Sequence, residues 1–250
     1  MENWKLKTIV DSYSKTQKFR FNNYIVNPRV QNLMGSVQGK KLLEIGCGFG
    51  RYLEIFAKEN PLKLVGCDIS ANQIELCKKI VSETATDIDL HILDFTNENS
   101  VAILGANLYD IVYSIFVILY VDTLEKLEIF IKNCYDSLKE GGDLLICTLD
   151  ILSASYYPEV FNILDFPIKP LENNEYADGS PIEITITDEC VVTSYHRNFS
   201  TLKSVMEKVG FKMIEKCEIF WDEKMLEGFT REEFNIIKKS DLLLLIKATK

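Results

Sequence analysis

The chain is poor in histidine, in basic charge and in paired cysteine. His91 and His196 are its two histidines, so any imidazole chemistry must come from one of them. Lys and Arg number 28 against 37 Asp and Glu, a net charge of −9. That balance argues against a nucleic-acid partner, which wants a basic face, and against an anionic membrane surface. A small molecule is the expected partner. The seven cysteines are odd in number, scattered, and contain no C-x-x-C pair. Cys67, Cys134 and Cys147 lie in apolar runs, where a free thiol behaves as a small hydrophobe. No disulfide frame and no zinc site is expected, and a reducing, cytoplasmic compartment is. Long apolar runs are absent too. The longest, Ile111 to Val121, is too short to span a bilayer and suits a buried strand and the turn after it. The opening M-E-N-W-K-L-K has no apolar signal-peptide core. There are no repeats and no low-complexity linker.

What the sequence does have is a core's worth of apolar residues, 47% of 250, with 26% charged. Its centre is Leu42 to Gly50, L-L-E-I-G-C-G-F-G. The apolar start suits a buried parallel strand. Gly46, Gly48 and Gly50 follow at alternate positions, and R-Y-L-E-I-F-A-K-E continues with helical periodicity. A strand turning into a helix through glycines brings backbone N–H groups and a helix N-terminus close to a ligand. Without a ligand the same pattern is a tight structural turn.

Around this stretch the chain alternates. Residues 1–20 have few apolar anchors and read as a lid or loop, and a helical pattern runs from Phe21 to Met34, interrupted by Pro28. Strands are expected at Lys41–Ile45, Lys63–Cys67, Ile88–Leu93, Tyr109–Ser114 and Asp143–Thr148. Helices are expected at Arg51–Glu59, at Ala71–Val81 behind a Ser70 cap, and at Thr123–Leu138, closed by Gly141-Gly142. This rhythm argues for a parallel sheet of βαβ units. After Leu149 it breaks. I-E-I-T-I-T and C-V-V-T-S-Y, around Thr187-Asp188-Glu189, suggest a β-hairpin. A helix Thr201–Val209 capped by Ser200, a strand Phe211–Glu218 and a strand Leu242–Ala248 complete the pattern. The reading is one domain, 1–250, with an N-terminal lid and helix (1–35) and a substrate cap (151–199) inserted after the fifth strand.

Three acids stand at or beside successive strand ends: Glu44, Asp68 and Asp94. An acid ending the second strand, some twenty residues past the first glycine, is where a nucleotide's ribose hydroxyls are gripped. Singly, Asp68 could be a helix-start acid and Asp94 a loop acid. Their joint placement beside the glycine turn points to a ligand.

E-I-G-C-G-F-G, V-G-C-D-I-S, L-D-F, Y-D-I-V-Y-S and L-K-E-G-G-D-L-L resemble, in order and spacing, the motifs of class I S-adenosylmethionine-dependent methyltransferases. The resemblance is good over about residues 40–150 and looser elsewhere. It is nearest to bacterial small-molecule enzymes of the ubiquinone-biosynthesis and toxoflavin-synthase type, on the segment S-Y-H-R-N-F-S-T-L-K-S-V-M-E-K-V-G-F. It implies a doubly wound α/β fold, Rossmann-like, whose seven-stranded, mostly parallel sheet ends in an antiparallel strand. It further implies that Gly46, Cys47 and Gly48 lie against the methionine and ribose of S-adenosylmethionine, with Glu44 orienting the ammonium or the turn. Asp68 would accept the ribose hydroxyls, with Ile69 packing on adenine. Asp94 would take the adenine amino group, beside Phe95. Ser114 and Ile115 would face the methionine moiety, and Tyr120 would close over it. The product would be S-adenosyl-L-homocysteine, and the protein a monomer or homodimer.

The sequence also departs from that pattern. Val10-Asp11 and Gln17 stand where relatives have Tyr-Asp and a second Tyr. Leu119 replaces a frequent His, and Asp150-Ile151 a frequent His-Pro. The last two lie toward the acceptor, so the acceptor does not carry over. A methyl group is expected to pass to an N or O atom of a small molecule; the alternative is a non-catalytic S-adenosylmethionine-binding protein. A nicotinamide-type fold would want G-x-G-x-x-G, and Arg51 stands at the third glycine. His91 lies within a strand and reads as structural. His196, beside Arg197 at the end of the hairpin, is either a satisfied structural histidine or the acceptor's base. Tyr156, Tyr157 and Tyr176 could line an acceptor pocket or pack the cap.

Overall fold

A computed structural model describes Lys7, Asp11 and residues 20–163, 166–171, 176–187, 190–218 and 221–250. Val10, Gln17, most of the expected lid and the hairpin turn at 188–189 lie outside these residues.

Seven strands form the main sheet: β1 (Lys41–Ile45), β2 (Lys63–Asp68), β3 (Ile88–Ile92), β4 (Tyr109–Ile115), β5 (Leu138–Leu149), β9 (Lys212–Lys216) and β10 (Leu243–Thr249). A smaller sheet holds β6 (Ile168–Pro170), β7 (Pro181–Thr187) and β8 (Cys190–Tyr195). The spatial order of the first is β3-β2-β1-β4-β5-β10-β9. β1 through β5 run parallel, and β10 is antiparallel to β5 and to β9. The expected fold class is the observed one. Leu42 and Leu43 on β1 are both fully buried, although successive residues face opposite sides. That is the mark of a strand covered on both faces. The strand order reverses between β1 and β4, so the crevice beyond their carboxyl ends is the switch point where open α/β sheets bind ligands.

The helical entry differs from expectation in an instructive way. Pro28 does not interrupt it: a π-helical turn, Phe21–Val26, feeds an α-helix, Asn27–Met34. Proline lacks the N–H that would bond residue 24, and its ring crowds that carbonyl. A wider turn just before it accommodates both defects. The glycine pair 141–142 does not close a helix either. The helix Leu124–Ser137 passes directly into β5 at Leu138, which pairs with Tyr109, and pairing resumes at Asp143 opposite Ile111. The residues between bulge out, with Gly141 at φ +74°.

Asn198, not Ser200, caps the helix Phe199–Val209, its side chain accepting the Thr201 N–H. The helices Ser100–Leu104, Ile151–Ser155 and Glu159–Ile163 were not foreseen; each has five residues, too few to show a period. The helix Arg231–Ser240 was also missed, although Thr230 and Glu233 form a reciprocal capping box. The expected hairpin is there as β7–β8, and β6 extends it to three strands. Ile182, Ile184, Cys190 and Val192 from this sheet join the same apolar core as Leu42, Ile111 and Leu145. Among the described residues no helix is long and apolar enough to cross a membrane.

Candidate cofactor site at the switch point

The glycine turn is pinned from below. Gly46 and Cys47 both donate to the Cys67 carbonyl, at 2.7 and 2.9 Å. All three glycines have positive φ: +69°, +54° and +89° for Gly46, Gly48 and Gly50. Their surroundings differ, however. A β-carbon on Gly46 would come within 2.2 Å of Val117 Cγ2, and one on Gly50 within 2.6 Å of Cys77 Sγ. On Gly48 it would meet only Gln73 Oε1, at 3.9 Å. Two of the glycines therefore let protein atoms close in on the turn, whereas Gly48 leaves open space. That space belongs to an open pocket lined by the glycine turn, Asp68, Asp94 and the end of β4.

Asp68 ends β2 under the turn. Oδ2 accepts the Gly48 N–H at 3.0 Å and Oδ1 the Ser70 N–H at 2.8 Å. Each oxygen keeps a lone pair for a further donor. Burial pushes its pKa up to about 6, against the pull of those two N–H groups. Asp94 follows β3. Its Oδ1 accepts from the Thr96 N–H and hydroxyl, at 2.9 and 2.7 Å. The loop beyond is held by buried Asn133, whose amide donates to the Phe95 and Asn97 carbonyls, both at 2.9 Å. Phe95 packs edge-on to Phe130, with ring centroids 5.6 Å apart.

Glu44 lies behind the turn, 2% exposed, and accepts the Tyr113 hydroxyl at 3.1 Å. Desolvation holds its carboxyl well above the usual range. Glu44, Gly46, Cys47, Gly48, Asp68, Ile69, Asp94, Phe95, Ile115 and Tyr120, all expected from sequence, line the same pocket.

Two expected residues do not line it. Ser114 is buried within β4, its hydroxyl without a partner among the described residues. His196 is 1% exposed, and both ring nitrogens lack partners among the described residues. Burial lowers its pKa, while Asp150 and Asp178 pull the other way. Its peptide is fixed by Gly179 N–H donating to its carbonyl at 2.7 Å and by its own N–H donating to Ser180 at 3.1 Å. Neighbouring Arg197 reaches the Asp122 carbonyl at 3.0 Å, tying the cap to the segment after Tyr120.

Sequence reasoning missed several of the lining residues. Arg51, at the helix start after the turn, has a buried Nη2 without a partner. Gln73 is 2% exposed, with Oε1 unpartnered toward Gly48. Phe116 holds φ +57°, an unfavourable conformation for a bulky residue, and its N–H donates to Cys147 at 2.8 Å. Such a strain has no sequence signature. Arg51 had one, in its place directly after the third glycine.

Residues 43–144 match a family model described as a methyltransferase domain. That domain is set in the fold of S-adenosylmethionine-dependent methyltransferases. The chain is 27% identical over 168 residues to the mitochondrial ubiquinone biosynthesis O-methyltransferase of Dictyostelium discoideum, covering 60% of this chain and 51% of that one. It is 30% identical over 112 residues to the tRNA N(3)-methylcytidine methyltransferase Mettl2 of Drosophila melanogaster, covering 44% and 34%. The chain thus spans about half of the first protein's length and a third of the second's. The methyltransferase fold extends further. An S-adenosylmethionine-dependent methyltransferase structure from Mesorhizobium loti superposes with a TM-score of 0.62 at 16% identity, covering 89% of this chain and 96% of that one.

Proposed function

We propose that the chain transfers a methyl group from S-adenosylmethionine to an N or O atom of a small molecule held under the cap. The observation that carries the cofactor half is the Asp68–Gly48 pair. One glycine of the turn opens onto free space, beside a carboxylate with lone pairs to spare and the orphaned Gln73 carbonyl oxygen. These residues fit an adenosyl amino acid. Asp68 would accept the ribose hydroxyls, Ile69 and Phe95 would flank the adenine, and Asp94 would receive its amino group. Gly46, Cys47, Glu44 and Ile115 would surround the methionine portion. Arg51, with its unpaired Nη2, would meet that portion's carboxylate. Tyr120 would close the site.

When bound, S-adenosylmethionine supplies a methyl group already activated by its sulfonium. The protein's own task is then alignment and exclusion of water, which can supply a large part of the barrier reduction. Where the acceptor must lose a proton, His196 would take it only once acceptor binding exposes its ring, which is 1% exposed and outside the cofactor pocket here. Its lowered pKa keeps the imidazole neutral at pH 7, the form that accepts a proton. The net charge of −9 favours a small acceptor over a nucleic acid.

The test is transfer from methyl-labelled S-adenosylmethionine into a fractionated small-molecule extract and, separately, into total tRNA. Label is expected in a small-molecule fraction, with His196→Gln slowing transfer without changing cofactor affinity. Label in tRNA alone would overturn the acceptor reading. Cofactor binding with no transfer anywhere would favour a non-catalytic binding protein.

A further inference from the structure

Among the described residues Arg29 has no counter-ion. It is 1% exposed on the helix Asn27–Met34, and no ion pair among the described residues includes it. Nη1 donates to the Ile25 carbonyl, one turn back. Nε and Nη2 are buried and find no acceptor. These two nitrogens form one edge of the guanidinium, the side-on edge whose parallel N–H groups match the two oxygens of a carboxylate or phosphate. Trp221 lies over the group, its ring centroid 4.0 Å from Cζ. The stacking holds the guanidinium plane without using any of its donors.

The location is as informative as the free edge. Arg29 and Cys147 on β5 are close enough for each to shift the other's ionisation. Cys147 pairs in register with Ile115 and accepts the Phe116 N–H, and both Ile115 and Phe116 line the cofactor pocket. The guanidinium therefore sits one strand over from the wall of that pocket, on the side covered by Trp221. Desolvation lowers its pKa to about 10, which leaves it charged at neutral pH. A buried charge with an empty donor edge is a standing cost to the fold, and an apolar residue of similar volume would avoid it.

We infer that Arg29 anchors an anionic group, carboxylate or phosphate, on the acceptor. This rests on the proposal that the acceptor lies under the cap. The free Nε–Nη2 edge would take the anion, and Trp221 would hold the guanidinium in place beneath it.

The experiment titrates benzoate, phenyl phosphate, benzamide and phenol into protein saturated with S-adenosylhomocysteine, by calorimetry. At least one anion should bind about tenfold to a hundredfold more tightly than its neutral counterpart, the range for a charge-assisted pair. Arg29→Met should abolish that preference, leave S-adenosylhomocysteine affinity unchanged, and melt no lower than wild type when ligand-free. Arg29→Lys, which keeps the charge but loses the fork, should retain a weakened preference. Equal binding of anions and neutral counterparts by wild type would overturn the inference, as would wild-type preference in Arg29→Met. If Arg29→Met does not fold, full wild-type preference in Arg29→Lys would overturn it instead. Failure of S-adenosylhomocysteine to bind would sink the methyltransferase reading itself, a different outcome from loss of anion preference alone.

Discussion

Cofactor affinity should depend on pH through Asp68. Its carboxyl titrates near 6 in the folded protein, raised by burial from 3.8. Ribose hydroxyls are donors and want the ionised acceptor. With a pKa near 6, about nine-tenths of the carboxylates are charged at pH 7 and about one-tenth at pH 5. S-adenosylhomocysteine should therefore bind about tenfold more weakly at pH 5 than at pH 7. The ligand-free protein shows the converse. Between about pH 4 and pH 6 the folded state holds more protons at this site than the unfolded chain, so the site's contribution to stability declines as pH rises and is lost above about 6. Asp68→Asn should flatten the binding profile and weaken binding at pH 7 by about one to two decades, or about 1.5–3 kcal/mol. The asparagine also cannot accept both backbone bonds, since its NH2 would face either the Gly48 or the Ser70 N–H. Calorimetric titration from pH 5 to 7 on both proteins is the assay. A wild-type affinity that is the same at both ends, or an Asn variant that binds as tightly, would refute the reasoning.

The three glycines should separate under substitution. Gly46→Ala forces a β-carbon into Val117 and should lower the melting temperature or prevent folding, whereas Gly48→Val should stay folded and lose S-adenosylhomocysteine binding. Thermal denaturation with and without ligand distinguishes these. Asn133→Ala leaves the Phe95 and Asn97 carbonyls without their donor, and should cost about 2 kcal/mol by denaturant unfolding while weakening the cofactor. Thr230→Ala removes the capping box far from the pocket. It should cost about 1 kcal/mol, roughly 2–4 °C, and leave binding untouched in the same titration.

The central sheet was legible because its inner strands, β1, β2, β4 and β10 above all, are largely buried on both faces, and its helices carry one apolar stripe each. The helix Ala71–Val81 emerges with the expected bounds and the expected Ser70 cap. The misreadings have local causes. Gly141-Gly142 is as compatible with a bulge as with a helix stop, and only pairing with β4 chooses between them. Asn198 outcompetes Ser200 as a cap because its side chain reaches the Thr201 N–H from an extended backbone. Glu44, Asp68 and Asp94 stood out as acids beside the glycine turn, whereas Cys47, Ile69, Phe95, Ile115 and Tyr120 came from the family resemblance alone. Phe116, Gln73 and Arg29 were not legible, because strain, an orphaned amide and an unpaired buried cation exist only once the chain has folded. Ser114 was expected only from the resemblance, and its side chain is buried within β4, outside the pocket.

The central claim is that the switch-point crevice is a cofactor site built on Asp68 and the Gly46–Gly50 turn. Hydrogen exchange with and without S-adenosylhomocysteine, alongside calorimetry, tests it most directly. The account predicts one ligand per chain, with slowed exchange at residues 46–50, 68–70 and 94–97. Absence of binding, or protection that avoids the glycine turn, would contradict it.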